Sequence, residues 1–287
     1  MKSFQFNVNQ YATQWREAIF TPSSPGERVR DFARNLVINL SSAVNKTTED
    51  KFLRCLYCHY VFDDQTEDFE NLIIELKKTG KFVDTDTAIE MLSGKKPIDE
   101  RYYHLSFDDG FRNNYTNAFP ILKKNKVPAI FFIPTALVEA DWETARNYCT
   151  SDTHYKGVIE MVRWDELKEM VSEGFDIGSH TKTHARLSGI SNVPTLLEDE
   201  IQGSKKQLED RLGHICKYIS YPFGTRSDID SEALRIIKIS GYIACFGAHR
   251  GSIRPSSTDI YQIPRHHFEV QWPISHVSYF ARGNREF

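Results

Sequence analysis

From residue 52 onward, short apolar runs alternate with segments whose apolar residues recur every three to four positions. The runs "FLRCLYCHYVF", "RYYHLSF", "VPAIFFI", "FDIG", "KYISYPF" and "YIACFGA" predict strands. The segments "TEDFENLIIELKKTG", "DTDTAIEMLSG", "YTNAFPILKKNK", "RWDELKEMVSEG", "TLLEDEIQGSKKQLEDRLG" and "SDIDSEALRIIKISG" predict helices, with Gly80 and Gly94 as stop residues. Continuous apolar strands between amphipathic helices predict a parallel sheet with helices outside it. So many units in one chain imply an α/β barrel or a large open sheet, and in both the functional residues gather at the C-terminal ends of the strands.

Two stretches depart from this rhythm. Residues 1–50 are a polar lead-in, with helical spacing in "ERVRDFARNLVINL" and a loop at "NKTTED". They predict a helical or irregular extension that packs on a catalytic domain of residues 51–287. Residues 139–161, "EADWETARNYCTSDTHYKGVIEM", are long for a connection and rich in aromatics, which suits a lid or a substrate wall. Trp142, Tyr148 and Tyr155 within it are candidates for stacking on sugar rings, against plain surface packing.

Composition narrows the class. The chain has 287 residues, 40% hydrophobic and 26% charged, with a formal net charge of -3 and no basic tract, so nucleic acid is not an expected partner. No apolar stretch reaches membrane-spanning length and no signal-peptide core is visible, which predicts a cytoplasmic protein. The sequon Asn45-Lys46-Thr47 is then a chance match. Five scattered cysteines do not form a disulfide framework. "CLYCH", Cys55 to His59, matches the haem-attachment spacing, but it lies in a strand-like run where the two thiols face opposite ways, as small buried hydrophobes do.

Four strand ends carry candidate chemistry. In "SFDDG", Asp108 and Asp109 follow a strand, and Gly110 lets the chain turn so that both carboxylates reach one rim. Alone this is most often a turn. In "DIGSHTKTH", His180 and His184 are four apart, which places two imidazoles on one side of a helical turn. Two imidazoles and one carboxylate at one rim make a three-ligand metal site open to water and substrate. The carboxylate left over is placed for a general base. In "YISYPFG", which contains Tyr221, a rigid Pro222 turn presents the Phe223 N–H as an oxyanion donor. In "YQIPRHHF", Arg265 is placed to keep a carboxylate ionised, and His266 and His267 face opposite ways, so at most one enters the site. His276 competes for the same acid role. His59 ends the first strand and is a candidate pocket residue.

"SFDDG", "SHTKTH" and "SYPFG", in that order, resemble the polysaccharide deacetylases with a NodB-homology domain, the fourth carbohydrate esterase family. The resemblance covers roughly residues 53 to 270. It implies a distorted (β/α) barrel of about seven parallel strands, TIM-barrel-like, and metal-dependent deacetylation of a carbohydrate. By position it makes Asp108 the general base, Asp109, His180 and His184 the metal ligands, and the Pro222–Phe223 turn the oxyanion donor. Many members have an arginine two residues before the motif proline. Here that position is Ser220, so the arginine that orients the base must come from elsewhere, with Arg265 the candidate. The acid is His267 or His276. Two His and one Asp accept zinc first, with cobalt, nickel, manganese or iron also compatible.

An intracellular member is expected to act on nucleotide-linked, lipid-linked or oligosaccharide substrates of a bacterial surface polysaccharide such as a lipopolysaccharide O-antigen. Two rivals are a metal-dependent amidohydrolase of a small cyclic amide on the same scaffold, and a non-catalytic sugar-binding module, which predicts a broken metal triad.

Overall fold

The structure is a computed structural model and describes residues 10–19 and 51–281. The helical spacing at 27–40, the loop at 45–50 and the sequon at 45–47 lie outside the described residues. The described residues form eight strands: β1 (Phe52–Cys58), β2 (Lys81–Phe82), β3 (Arg101–Phe107), β4 (Ile130–Ile133), β5 (Asp176–Ser179), β6 (Tyr218–Ser220), β7 (Ala244–Phe246) and β8 (His266–His267). All ladders between them are parallel, in the order β7-β6-β5-β4-β3-β1-β8. β3 pairs with β1 along its whole length, so β2 and β4 share its other edge, β2 at the lower end and β4 at the upper.

One segment closes the ring. Ile263 bridges β7 at Phe246, through Gly247 N–H to Ile263 O at 2.9 Å and Ile263 N–H to Cys245 O at 3.0 Å. Three residues later His266 and His267 pair with Leu56 and Tyr57 of β1. The result is the expected distorted (β/α) barrel with seven strands around it.

The period-2 rule of strands decides what fills it. Leu53, Cys55, Ile130, Phe132, Tyr218, Ala244, Phe246 and Ile263 point inward and form one apolar cluster. Their neighbours Leu56, Cys58, Phe131, Ile133, Ile219 and Cys245 point outward and pack under the helices. Gly178 of β5 faces the lumen because a Cβ there would sit 2.6 Å from the Phe132 ring. Burying a Phe or Leu in this way stabilises the fold by about 1.5–3 kcal/mol each. Cys55 and Cys58 fall in different clusters, and all five cysteines are buried and unpaired. A haem attachment has no room here.

Several boundaries differ from the sequence pattern. Strand pairing stops early in "KYISYPF" and "YIACFGA", where the chain turns into the site loops at Tyr221 and Gly247. Pro120 is tolerated because the α-helix begins only at Phe119, behind a π-helical stretch Asn114–Ala118, so Pro120 falls in the first turn. The long helix from Pro194 to Leu212 likewise carries a π segment, Asp199–Gly203. The two-residue strands β2 and β8 are too short to show a period, and the helix Ile274–Ala281 was not legible either.

Residues 139–161 form a packed wall. They contain a helix, Trp142–Asn147, whose N-cap Asp141 accepts from Thr144 N–H at 2.8 Å. Ala145, Tyr148, Cys149, Val158 and Ile159 are buried against Tyr60, Phe62 and Phe111. Residues 10–19 brace it from outside: Ala12 N–H donates to Val158 O at 2.7 Å and Lys156 N–H to Ala18 O at 2.6 Å. The same segment touches the barrel, where Trp15 N–H donates to Asp64 Oδ1 at 3.0 Å.

Candidate active site

The upper rim of the lumen is polar. His104 and Ser106 on β3, and Asp108 just beyond its end, lie on the inward face, and on the closing segment Arg265 and His267 do the same. His266, between them, points outward and contacts Gly251 O at 3.4 Å. Alternation therefore admits one of the two adjacent histidines, as expected.

Arg265 is fully buried, and all five of its N–H donors are used. Nη1 donates to Asp108 Oδ1 at 2.8 Å and to Ser106 Oγ at 3.0 Å. Nη2 donates to Asp108 Oδ2 and to Ser220 Oγ, each at 2.7 Å, and Nε donates to Gly247 O at 2.7 Å. The guanidinium also lies 4.4 Å from the centre of the Tyr57 ring. A buried ion pair this well satisfied avoids the usual desolvation deficit. Burial alone would push the Asp108 carboxyl up, but Arg265, with His180 and His59 near it, holds the group below its ordinary value. Ser220 is small enough to leave room for this guanidinium and supplies it with an acceptor.

The second carboxylate turns the other way. Asp109 has a left-handed backbone (φ 72°), followed by Gly110 at φ 66°. Its Oδ1 lies 3.5 Å from His180 Nε2 and 3.3 Å from His184 Nε2, and one donor atom from each residue falls within 4.8 Å of the others. The two histidines do not share a helical turn, contrary to the sequence expectation. Residues 180–184 form a loop in which Thr181 (φ 64°) and His184 (φ 65°) take left-handed backbone, and this bend brings the rings together, 4.9 Å centre to centre. Such conformations cost of order 1–3 kcal/mol each for non-glycine residues and gather where geometry matters more than stability.

The donor chemistry of this trio fits a divalent cation. His180 Nδ1 contacts Ser220 O at 2.6 Å, which fixes the proton there and turns the Nε2 lone pair towards Asp109. Among the described residues His184 Nδ1 is buried without a partner. Burial works against charge on Asp109, but His180 and His184 beside it hold its carboxyl well below the ordinary range. Burial also pulls His180 down, and the carboxylates of Asp108 and Asp109 more than offset this.

Both carboxylates and both imidazoles open into a cavity of about 400 Å3, lined also by Tyr57, His59, Tyr221 and Phe223. Phe223 has φ 64° and is 40% exposed, and the Arg186 guanidinium sits 4.0 Å over its ring. The Tyr221 hydroxyl donates to Gly224 O at 3.1 Å and so braces the turn. His267 stands behind the lining, 5.2 Å from the His59 ring and 5.1 Å from the Tyr57 ring. Burial pushes it down to about 3, so it is neutral at rest. His276 is buried in the last helix and is not among the cavity residues.

The 139–161 wall contributes Asp152, Thr153, His154 and Tyr155 to the cavity. Of its three aromatic candidates only Tyr155 lines it. Trp142 packs on Tyr11, with ring centres 5.0 Å apart, and Tyr148 is buried against the His184 ring at 5.3 Å. Tyr57, Ser106, His154 and Arg186 were not singled out from sequence. Ser106 had a readable signal, since it lies two residues before Asp108 on the same strand face.

A profile of the family "Polysaccharide deacetylase" matches residues 95–243, just over half of the chain, and spans Asp108, Asp109, both metal-type histidines and the Phe223 turn. The chain belongs to the polysaccharide deacetylase family. It is 32% identical over 208 residues to the poly-β-1,6-N-acetyl-D-glucosamine N-deacetylase of Staphylococcus aureus (strain MRSA252), which covers 69% of this chain and 64% of that protein. It is 29% identical over 157 residues to YxkH of Bacillus subtilis (strain 168), covering 55% of this chain and 48% of that protein. The chain thus spans about half to two thirds of the length of these curated relatives. The fold is shared with IcaB from Ammonifex degensii, with a TM-score of 0.68 at 24% identity, over 82% of this chain and 98% of that one. It is shared also with the Streptococcus pyogenes deacetylase PplD in complex with acetate, with a TM-score of 0.65 at 20% identity, over 80% and 98%. Among the described residues no helix is long and apolar enough to cross a membrane.

Proposed function

We propose that this family member is a carbohydrate N-deacetylase that uses zinc and acts on an N-acetylated amino sugar of a bacterial surface polysaccharide. The observation that carries the reading is the division of labour between neighbours: Asp109 with His180 and His184 on one side, Asp108 with Arg265 on the other. A divalent cation held by Asp109, His180 and His184 supplies Lewis acidity to the acetyl carbonyl and to the attacking water.

The remaining steps belong to the chain. Asp108, kept ionised by Arg265, takes a proton from the water as it attacks the acetyl carbon. The Phe223 N–H donates to the oxygen that becomes negative. The amide nitrogen must gain a proton as its bond to the acetyl carbon breaks. The proton reaches it from Asp108, which lines the cavity; His267 stands behind that lining and, neutral at rest, holds no proton to spare. His59 and Tyr155 bound the sugar.

The test is acetate release by the purified full chain with zinc, offered β-1,6-linked N-acetylglucosamine oligomers and O-antigen saccharides side by side, with ring opening of a cyclic amide as the rival reaction. Asp108→Asn is expected to abolish turnover with zinc content near normal, and Asp109→Asn to lose both. Wild-type turnover by zinc-loaded Asp108→Asn would sink the assignment. Ring opening without acetate release would favour the amidohydrolase, and zinc binding with neither reaction would favour a sugar-binding module.

A further inference from the structure

A second cavity, of about 700 Å3, lies at the same rim and has a different character. It is lined by Arg226, His249, Arg250, Arg254 and Asp259 among others. Only one ridge separates it from the site above. Gly224 and Ala248 line the first cavity, and Arg226 and His249 line the second, so the loops after β6 and β7 serve both. Ala248 N–H donates to Gly224 O at 2.8 Å, and a Cβ on Gly224 would collide with Ala248, so the two loops touch along this ridge.

The charge there is unlike that of the whole chain. Against a net charge of -3 overall, the cavity has three arginines and one carboxylate. Among the described residues none of the three arginines is in an ion pair. The carboxylate is partly occupied, since Asp259 Oδ1 accepts from Tyr261 N–H at 2.9 Å. The Arg250 guanidinium is steadied 4.7 Å over the Phe280 ring, and His249 Nδ1 is buried with no partner among the described residues. Guanidinium forks match phosphate oxygens, and several on one concave surface focus the field on a multiply charged anion.

We propose that this cavity is an anion subsite that receives a diphosphate carried by the acetamido-sugar substrate. The kinetic part of this proposal rests on the deacetylase reading; the binding part does not. A diphosphate here implies a substrate still attached to its activating carrier, and the carrier is either a nucleotide or a lipid.

The direct test is calorimetric titration of inorganic pyrophosphate into the full chain stripped of metal. Binding is expected to weaken at least tenfold in the Arg250→Gln/Arg254→Gln double variant and to persist in Asp109→Asn. The three arginines are solvent-facing, so these variants should fold, and a matching melting curve checks it. Absence of pyrophosphate binding, or binding untouched by the double variant, would overturn the subsite. The kinetic arm compares uridine diphosphate N-acetylglucosamine, a prenyl-diphosphate-linked N-acetylglucosamine and a neutral β-1,6-linked trimer. The double variant should raise KM at least tenfold for the diphosphate that is the natural type and leave the trimer unchanged. An equal change for the neutral trimer would also overturn the proposal. If no sugar releases acetate, the deacetylase reading fails, and the pyrophosphate titration still decides the subsite.

Discussion

Asp108 and Asp109 are adjacent in sequence, equally buried, and set in opposite kinds of surroundings. Around Asp108 every strong donor is answered within the protein, and Arg265 spends its five N–H groups on oxygens of Asp108, Ser106, Ser220 and Gly247. Around Asp109 three electron-pair donors converge on one another, and the backbone that brings them there is left-handed at Asp109, Thr181 and His184. The first half is stable by itself and stays charged. The second half makes electrostatic sense around a cation. Two like charges tolerate being neighbours because each has its own counter-charge, an arginine for one and a metal-type site for the other.

The contrast breaks most visibly at Arg265. Arg265→Met leaves the Asp108 carboxylate buried and unpaired, which should cost about 3–5 kcal/mol of folding stability along with turnover. Chemical denaturation measures it, and a loss under 1 kcal/mol would show that the pair is not the anchor described. The complementary test moves the charge. Ser220→Arg alone crowds a second guanidinium into the space of the first, whereas Ser220→Arg with Arg265→Ser restores one arginine next to Asp108. The double variant should regain stability that each single variant lacks.

On the Asp109 side the expected effect runs through the ligand. Zinc at one hundred times its Kd should stabilise the protein by about 2.7 kcal/mol. A calorimetric melting scan should show this shift preserved in Asp108→Asn and lost in Asp109→Asn. Equal shifts in all three proteins would mean that zinc binds elsewhere.

The smallest effect comes from two buried histidines outside the cavity, one inside the lumen and one on the outer face of the closing strand. Burial pushes His104, stacked on Phe246, and His266 down to about 3. Each is neutral when folded and takes a proton when unfolded below its ordinary value near 6.5, so the unfolded state binds more protons between about pH 6.5 and 3. Stability is therefore complete above about pH 6.5 and falls as the pH drops, by at most roughly 1.4 kcal/mol per pH unit for each group. His104→Gln should flatten that slope in denaturation curves from pH 7 to 5. An unchanged slope would show that His104 is protonated in the folded state.

How much of this was readable beforehand follows from period and range. β3 and its two carboxylates were legible because seven consecutive residues sit in a fully paired strand and the turn glycine follows at once. The barrel's inside and outside were legible for the same reason, including the split between Cys55 and Cys58. The His180–His184 turn was not, because a four-residue spacing fits a helix and a tight loop equally, and the left-handed residues that decide between them are not glycines. The arginine at Asp108 was legible only as a candidate. Its contact joins residues 157 positions apart in the chain, and no local pattern encodes such a pairing. The three wall aromatics divided through contacts distant in sequence, Trp142 packing on Tyr11 and Tyr148 on His184, while Tyr155 lines the cavity.

The seam of the barrel and its chemistry are one piece of chain. The segment that joins β7 to β1 delivers Arg265 and His267 to the lumen as it closes the ring. A ribosome therefore finishes the metal-type residues Asp109, His180 and His184 well before it makes the arginine that pairs with Asp108. A nascent or nicked chain lacking the seam would hold its metal-type residues but carry an unopposed buried carboxylate in an open sheet. The seam thus closes the ring and in the same stroke supplies the counter-charge of Asp108.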